Sequence, residues 1–276
     1  MRKFLMIVVV AAAFTPALAE GQNWRTVTMS RQLQNNDEMR VEVEYGAGQL
    51  KIRSVDEGLM YRMNLRYDED RFEPVADFSG DHLTLGIESL GRNRLKGRQS
   101  GEMDLELARG VPMRLDLQFG AVQAEIDLGG LALTDLELKT GASESTIDIS
   151  EPNSEEMRSA TFAVGAAEFR IQNLGNLNAE RIEVEAGVGS LTLGLDGRWQ
   201  RDARLSIDMG VGSLVLRVPE GLGIRLQKDS FLTSLDSQGL IKRGDVYESL
   251  DFEDADYKVM IDLDAAFGSV AVVWIR

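Results

Sequence analysis

The sequence contains no cysteine, a single histidine and only five prolines among its 276 residues. Without cysteine the chain has no disulfide bond, no thiol nucleophile and no cysteine-based zinc or iron–sulfur site. Since His82 is the one imidazole, a metal site built from several histidines is also excluded. The available chemistry is therefore that of carboxylates, hydroxyls, amides and amines.

Basic residues are scarce as well. Thirty Lys and Arg residues stand against 45 Asp and Glu residues, and the formal net charge is −15. A nucleic-acid-binding surface needs Lys and Arg to replace the counterions of the phosphates, and docking on anionic lipid needs a basic patch. The composition therefore argues against both partners.

The first 19 residues have the pattern of a secretory signal peptide. Two basic residues precede an apolar run of 11 residues at 4–14, and a small-residue cleavage site, Ala-Leu-Ala, follows at 17–19. The run is shorter than the roughly 20 residues that a membrane-spanning helix needs, and no later segment reaches that length. We expect cleavage near Ala19 and an extracytoplasmic location, either periplasmic or secreted.

An internal repeat dominates the rest of the sequence. Seven times, apolar residues alternate with other residues for three steps and then reach a corner of small residues, as in Ile182-x-Val184-x-Ala186 before Gly187-Val188-Gly189. The first corner residue is Gly46, Gly120, Gly141, Gly165, Gly187, Gly210 or Ala266. From Gly120 to Gly210 the gaps are 21, 24, 22 and 23 residues.

The repeat predicts an all-β fold. Period-two alternation indicates strands with one buried face, and glycine at a corner allows backbone angles that a side chain would forbid. A period near 22 residues is typical of one strand-turn-strand unit of a β-solenoid. We expect a β-solenoid-like stack with structural corner glycines. The alternative is an antiparallel hairpin array or sandwich, because short glycine-containing connections also form hairpins.

The repeat also suggests how the chain is divided. We expect a signal peptide at 1–19, an N-terminal β region at 20–112 and a repeat domain at 113–276, with an insertion at about 222–260 that contains a strand pair. The N-terminal region is predicted to hold a meander of strands at 60–67, 72–78 and 82–87, followed by a polar loop at 88–104.

Several glycine-containing motifs follow one another between Gly110 and Pro219. They are Asp-Leu-Gly-Gly-Leu at 127–131, Lys-Thr-Gly-Ala-Ser at 139–143, Asn-Leu-Gly-Asn at 173–176 and two copies of Gly-Val-Gly-Ser-Leu. In this order they resemble the toast-rack family of bacterial extracytoplasmic proteins, and residues 58–78 resemble its N-terminal region. The resemblance implies a β-fold of stacked strands, related to domains of membrane proteins that report cell-wall damage. It implies no active site, since the family has no assigned catalytic residues.

The solvent-facing positions of the first strand are mostly acidic in the seven repeats. Nine of these fourteen positions carry a carboxylate: Glu42, Glu44, Asp116, Glu137, Glu183, Glu185, Asp208, Asp262 and Asp264. If the strands stack, these side chains share one face, which would be a cation- or partner-binding surface. The alternative is that the charge serves solubility alone.

Other motifs favour structural roles. The Gly-Val-Gly segments at 187–189 and 210–212 lead into strands, whereas a phosphate site needs a helix N-terminus after the glycines. His82 is interpreted as a surface histidine. The carboxylates at 251, 253, 254 and 256 are interpreted as a solvated loop, with calcium binding as the alternative. We expect no cofactor, and the sequence leaves metal binding open.

The sequence therefore favours a non-enzymatic, exported envelope protein that acts as a binding or structural module, with the link to envelope stress that the resemblance suggests. Its partner would be an envelope protein or a cationic ligand. The alternative is a secreted hydrolase of envelope polysaccharide, which would need two carboxyl groups about 5–9.5 Å apart in a pocket.

Overall fold

The computed structural model describes residues 23–56, 58–91 and 101–276, with the backbone alone at 230 and 231. The predicted signal peptide and residues 92–100 of the predicted polar loop lie outside these ranges. In the described part of the chain, no helix has the length and apolar character needed to cross a bilayer.

The described chain consists of β-strands and one short 3-10 turn at Leu174–Leu177. The strands are β1 (Trp24–Gln32), β2 (Met39–Val55), β3 (Leu59–Asp68), β4 (Phe72–Ser79), β5 (His82–Ser89), β6 (Glu102–Ala108), β7 (Pro112–Asp127), β8 (Ala132–Asp148), β9 (Met157–Gln172), β10 (Ala179–Gly194), β11 (Ala203–Pro219), β12 (Gly223–Asp236), β13 (Leu240–Arg243), β14 (Val246–Ser249) and β15 (Lys258–Ile275). The predicted all-β class is confirmed.

Eight of the strands stack in parallel, in the order β2-β7-β8-β9-β10-β11-β15-β12. We call them rungs 1 to 8 in this order. Each rung has two legs on either side of its corner, and the pairing of β10 with β11, for example, skips Gly187 and Gly210. Parallel pairing with the same corner in register is the predicted solenoid-like stack and not an array of hairpins.

The core lies between the two legs, where alternate side chains of every rung point inward. Equivalent positions of successive rungs form columns of buried apolar side chains. One column consists of Val43, Leu117, Leu138, Phe162, Val184, Ile207 and Leu263. Burial of each such side chain contributes about 1.5–3 kcal/mol, so the repeat itself is the source of stability.

The segment at 222–260 contains a rung that the sequence did not reveal. Its first part, β12, pairs in parallel with β15, so the last strand of the chain is inserted between β11 and β12. The position that is apolar in the core column of the other rungs is Lys228 in β12, which interrupts the alternation. The predicted strand pair is present as β13 and β14, and β14 pairs with β12 over Arg225–Gln227.

The N-terminal strands cover rung 1 at the other end of the stack. The first leg of β2 pairs with β5 and its second leg with β6. The strands predicted at 60–67, 72–78 and 82–87 are present, but β3 pairs with β1 and β6 instead of β4, so they do not form one meander. The sequence did not reveal β1, whose side chains are exposed or half-buried throughout.

The corner glycines are required for a different reason from the one expected. A positive φ occurs at the second glycine of the corner, as at Gly189 (145°) and Gly212 (151°), and not at the first. At the first position the constraint is space, because a Cβ atom on Gly187 would lie 2.6 Å from the carbonyl oxygen of Gly165. The close approach of neighbouring rungs, and not a dihedral angle, therefore excludes a side chain there.

Candidate functional site

The register of the rungs aligns the predicted acidic residues in two rows on the outer face of the first leg. The mid-leg row is Glu42, Asp116, Glu137, Thr161, Glu183, Ser206, Asp262 and Gln227, from rung 1 to rung 8. The corner row is Glu44, Gln118, Lys139, Ala163, Glu185, Asp208, Asp264 and Asp229. All nine predicted carboxylates lie in these rows, which together form the acidic face.

The corner row has two parts. Rungs 2 to 4 carry no carboxylate there, whereas Glu185, Asp208, Asp264 and Asp229 follow one another in rungs 5 to 8. Neighbouring strands are about 4.8 Å apart, so four like charges face each other along the stack. Sequence reasoning missed Asp229, because β12 was not recognised as a rung.

Burial and neighbouring carboxylates act together on Asp116. Partial burial raises the pKa of this carboxyl above its usual value, and the negative charges of Glu137 and Glu42 raise it further. The amide of Gln118 opposes the shift by donating a hydrogen bond to Asp116 at 3.3 Å. In the neighbouring rung, Glu137 accepts a hydrogen bond from Lys139 and raises the pKa of that amine.

A row of arginines lies beside the acidic face, two residues before the mid-leg row. It consists of Arg40, Arg114, Arg181, Arg204 and Arg225 in rungs 1, 2, 5, 6 and 8. Arg204 lies 3.9 Å from Asp262 and Arg114 lies 3.2 Å from Glu38. Sequence reasoning missed this row, although it follows the same two-residue period as the carboxylates.

The corner row is farther from these arginines. Among the described residues, Glu185, Asp208, Asp264 and Asp229 form no ion pair within 4.0 Å. The negative field of the face is therefore least compensated along the corner in rungs 5 to 8. Opposite charges in solution are attracted to such an uncompensated row more than to a paired one.

A groove of about 930 Å³ runs along the corners from rung 1 to rung 6. Its lining combines the corner row, the first corner glycines and the residues between them: Glu44, Tyr45, Gly46, Gln118, Phe119, Gly120, Lys139, Thr140, Gly141, Ala163, Val164, Gly165, Glu185, Ala186, Gly187, Asp208 and Gly210, with Ile87 of β5. Six rungs at about 4.8 Å give the groove a length of about 24 Å.

The groove exists because its glycines lack side chains. A Cβ atom on Gly120, Gly165 or Gly210 would lie 2.3–2.6 Å from the carbonyl oxygen of the preceding corner glycine. Stacking therefore excludes side chains at these positions, and the backbone remains accessible from the groove. The sequence predicted these glycines as structural corners, and the groove is a consequence that it did not reveal.

One hydroxyl in the groove lining has no partner in the protein. Thr140 is 6% exposed, and within the described residues its Oγ1 atom forms no hydrogen bond. The neighbouring hydroxyls of Ser143 and Ser145 in the same rung are also buried and unpartnered. Since buried polar groups are normally hydrogen-bonded, these three hydroxyls distinguish the corner of the third rung.

A comparison with protein families matches the N-terminal strands and most of the repeat. A family model described as the N-terminal domain of toast_rack, DUF2154, matches residues 19–172 and 160–217. The chain belongs to the toast-rack family. The predicted resemblance is therefore confirmed, and the matched residues include rungs 1 to 5, all but the last two residues of rung 6 and the whole groove.

Three solved structures are similar to this toast-rack protein at low identity. A putative cell adhesion protein from Clostridium sporogenes is 15% identical, with a TM-score of 0.47 over 92% of this chain and 100% of that chain. Putative adhesins from Bacteroides fragilis and Parabacteroides distasonis are 10% and 11% identical, with TM-scores of 0.39 and 0.36, over 90% and 92% of this chain and 97% of each of theirs. No curated protein matches the chain.

The remaining candidate residues of the toast-rack chain lie apart from the groove. His82 is partly exposed, and its Nε2 atom lies 3.3 Å from a carboxylate oxygen of Glu42. The carboxylates at 251, 253, 254 and 256 lie in the exposed turn that follows β14. In the described part of the chain, no group of three or more His, Asp or Glu side chains is arranged to hold a metal ion.

Proposed function

We propose that this toast-rack protein is an exported, non-catalytic binding module of the cell envelope, and that the corner groove holds its ligand. The observation that carries the proposal is the continuous groove of about 930 Å³, lined by corner glycines of six successive rungs. Concave surfaces with a few polar groups are the usual location of ligand sites. The signal-peptide pattern supports export.

The shape of the groove favours an extended ligand. It is about 24 Å long, and it follows the stack instead of entering the core. Carboxylates lie at both ends, with Glu44 in rung 1 and the pair Glu185 and Asp208 in rungs 5 and 6. An extended molecule with cationic groups would satisfy both ends at once.

The acidic face gives this ligand class a physical route to the groove. Its carboxylates produce a summed negative field that attracts cations beyond the range of one ion pair. Such attraction fades as salt shortens the Debye length to about 8 Å at physiological ionic strength. Cationic peptides that damage the envelope belong to this ligand class, which connects the proposal with envelope stress.

The second candidate, a carboxylate-dependent hydrolase, rests on one observation. Glu185 and Asp208 line the groove and face each other on neighbouring rungs, so a pair of carboxyl groups is present. Both side chains are exposed, whereas the acid of a glycosidase needs an apolar surrounding that raises its pKa. The groove therefore supports binding better than hydrolysis.

The proposal is tested by filling the groove. Ala163 lines its centre in rung 4, and Thr161 faces solvent two residues earlier on the same strand. We expect Ala163→Trp to abolish the low-salt binding of hexalysine that isothermal titration detects, and Thr161→Trp to leave it unchanged. Binding that survives Ala163→Trp, or parent protein that binds no hexalysine at low salt, would show that the groove is not the site. Release of reducing sugar from envelope polysaccharide, lost in Glu185→Gln, would instead establish the hydrolase.

A further inference from the structure

The residue that follows the first corner residue of each rung forms a row along the apex of the corners. Its side chains are small in rungs 1 to 4 and larger in rungs 5 to 8. From rung 1 to rung 8 the residues are Ala47, Ala121, Ala142, Ala166, Val188, Val211, Phe267 and Leu232. In rungs 5 to 8 they are 56%, 45%, 46% and 62% exposed, respectively. We call these four residues the apolar ridge.

The apolar ridge occupies the same four rungs as the uninterrupted carboxylates of the corner row. In every rung the two positions are three residues apart, as with Glu185 and Val188, so their Cα atoms are at most about 10 Å apart. In rungs 2 to 4 both features are missing together, since the corner row holds no carboxylate and the apex holds alanine. A two-stripe surface, one stripe acidic and one apolar, is therefore confined to rungs 5 to 8.

We propose that this two-stripe surface binds a basic amphipathic α-helix that lies along the stack. This goes beyond the groove proposed above, because it assigns a second surface and names the class of partner. The apolar face of the helix covers the ridge, and Lys or Arg residues on its flank face Glu185, Asp208, Asp264 and Asp229. A helix of about 10–12 Å in diameter covers both stripes at once.

The spacing of the rungs selects a helix over an extended segment. Rungs repeat about every 4.8 Å, and side chains on one face of a helix recur every 5.4 Å. Over the three intervals from rung 5 to rung 8 the difference accumulates to about 2 Å, which side chains can absorb. Side chains on one face of an extended strand recur about every 6.7 Å, so a strand in this direction loses register by more than one rung.

The acidic stripe favours a basic helix over other partners that have an apolar surface. Anionic lipid headgroups would be repelled by the four carboxylates, and a second copy of the chain would present the same acidic stripe. A basic helix gains from the acidic stripe and buries the ridge, where each apolar side chain removed from water contributes to affinity. The class of partner therefore follows from both stripes together.

The test uses the purified protein and a 16-residue synthetic helix of Leu and Lys, with Leu on one face and Lys on the flanks. A scrambled peptide of the same composition is the control for charge alone. In the ridge variant, Val188→Ser and Val211→Ser are combined. Its matched control combines Ala121→Ser and Ala142→Ser in the same row of rungs 2 and 3. Fluorescence anisotropy gives the dissociation constants at low and high salt.

A second pair of variants tests the acidic stripe. One variant combines Asp208→Asn with Asp264→Asn, and its control combines Glu42→Gln with Glu137→Gln on the mid-leg row. These changes remove like charges from exposed or half-buried positions, so the fold is retained, and thermal melts check this. We expect the ridge variant and the corner-row variant each to weaken binding of the amphipathic helix by at least about tenfold, and both controls to change it by less than about threefold.

The outcomes distinguish this proposal from the groove proposed above. Equal binding of the scrambled and amphipathic peptides, or equal losses in test and control variants, would overturn the two-stripe surface. If hexalysine still binds in a manner sensitive to Ala163→Trp, the groove remains the binding site. Conversely, the amphipathic helix could bind tightly in a manner that depends on the ridge while hexalysine does not bind. This result would support the two-stripe surface and rule out the groove as the binding site.

Discussion

A Cβ atom on Gly187 would lie 2.6 Å from the carbonyl oxygen of Gly165 in the preceding rung, whereas a Cβ atom on Gly46 would meet nothing within 4 Å. The two residues occupy the same first corner position of their rungs, and neither has a positive φ. They differ because Gly46 belongs to rung 1 and has no earlier corner glycine beside it. The requirement for glycine at Gly187 therefore comes from stacking; it is absent in rung 1, and rung 7 has Ala266 at the equivalent position.

This difference predicts opposite effects of the same substitution. Gly187→Ala should destabilise the protein by about 1–3 kcal/mol, because the methyl group forces a backbone shift in a close-packed stack. Gly46→Ala should be neutral or stabilise by up to about 1 kcal/mol, because it reduces the freedom of the unfolded chain. Urea unfolding of the two variants beside the parent measures both. Equal losses in the two would mean that the corner needs glycine for its dihedral angles after all.

Seven of the eight rungs could be predicted from the sequence, because each has the period-two alternation and a small corner. Every predicted copy became a rung in register with its neighbours, including the two that long gaps separate from the others. Rung 8 could not be predicted, because Lys228 occupies a core position and the strand is paired out of chain order with β15. Neither property is visible as a local pattern.

The acidic face was predictable, whereas the groove was not. Alternation alone assigns Glu183 and Glu185 to the solvent side of a strand, and stacking then aligns them with their equivalents. The groove depends instead on missing side chains at Gly120, Gly141 and Gly165 lying one above another, which requires the register of the rungs. A sequence pattern identifies which side chains are present on a face, but not the space that absent ones leave.

Asparagine side chains form hydrogen bonds between the segments that connect the rungs, and Asn153 forms several of them. Its side-chain oxygen accepts a hydrogen bond from the amide of Leu133 at 3.0 Å, and its side-chain nitrogen donates to the carbonyls of Leu133 and Leu177 at 2.8 and 3.1 Å. It is 4% exposed. The side chain therefore links the start of β8 to the 3-10 turn at Leu174–Leu177 inside the protein.

We predict that Asn153→Ala destabilises the fold by roughly 2–4 kcal/mol, because it leaves buried backbone groups without partners, each costing about 1–3 kcal/mol. Asn35→Ala is the matched control, since Asn35 is exposed and bonds only locally to Asp37, and it should change stability by less than about 0.5 kcal/mol. Thermal and urea unfolding measure the two. A loss in Asn153→Ala no larger than in the control would contradict the role of the side chain as a link.

The raised pKa of Asp116 predicts a pH-dependent effect. A carboxyl whose pKa is higher in the folded than in the unfolded protein binds its proton more tightly when folded, so its ionisation lowers stability as the pH rises above about 4. Burial is the main cause of the shift, and Glu137 and Glu42 contribute. Asp116→Asn should therefore stabilise the protein at pH 7 by about 0.5 kcal/mol or less, since solvent screens a partly exposed group. The gain should disappear at pH 3.

Unfolding midpoints of the parent and Asp116→Asn, measured from pH 3 to pH 8, check this sign. The control is Asp262→Asn in the same row. Asp262 is exposed and lies 3.9 Å from Arg204, so this variant should not be more stable than the parent at pH 7. A variant that is less stable than the parent at pH 7 would show that the hydrogen bond from Gln118 outweighs the cost of burying the charge.

Lys228 interrupts the column of buried apolar side chains at rung 8, the last rung of the stack. It stands opposite Leu263 at a core position of β12, and its amine donates a hydrogen bond to the carbonyl of Thr233 at 2.6 Å. Among the described strands, β14 pairs with β12 only over Arg225–Gln227, so the end of the stack is open from Lys228 onward. Inward-facing charges on such an open edge prevent a further strand from pairing. In Lys228→Leu the column of apolar side chains extends to the open end of the stack. Burying this leucine against a second molecule would contribute about 1.5–3 kcal/mol to association. We expect self-association to strengthen by roughly 10–100-fold, measured by sedimentation velocity. Lys242→Leu on exposed β13 adds the same side chain without extending the column, and it should associate no more strongly than the parent. Equal association of both variants would attribute the effect to surface hydrophobicity instead of the open edge.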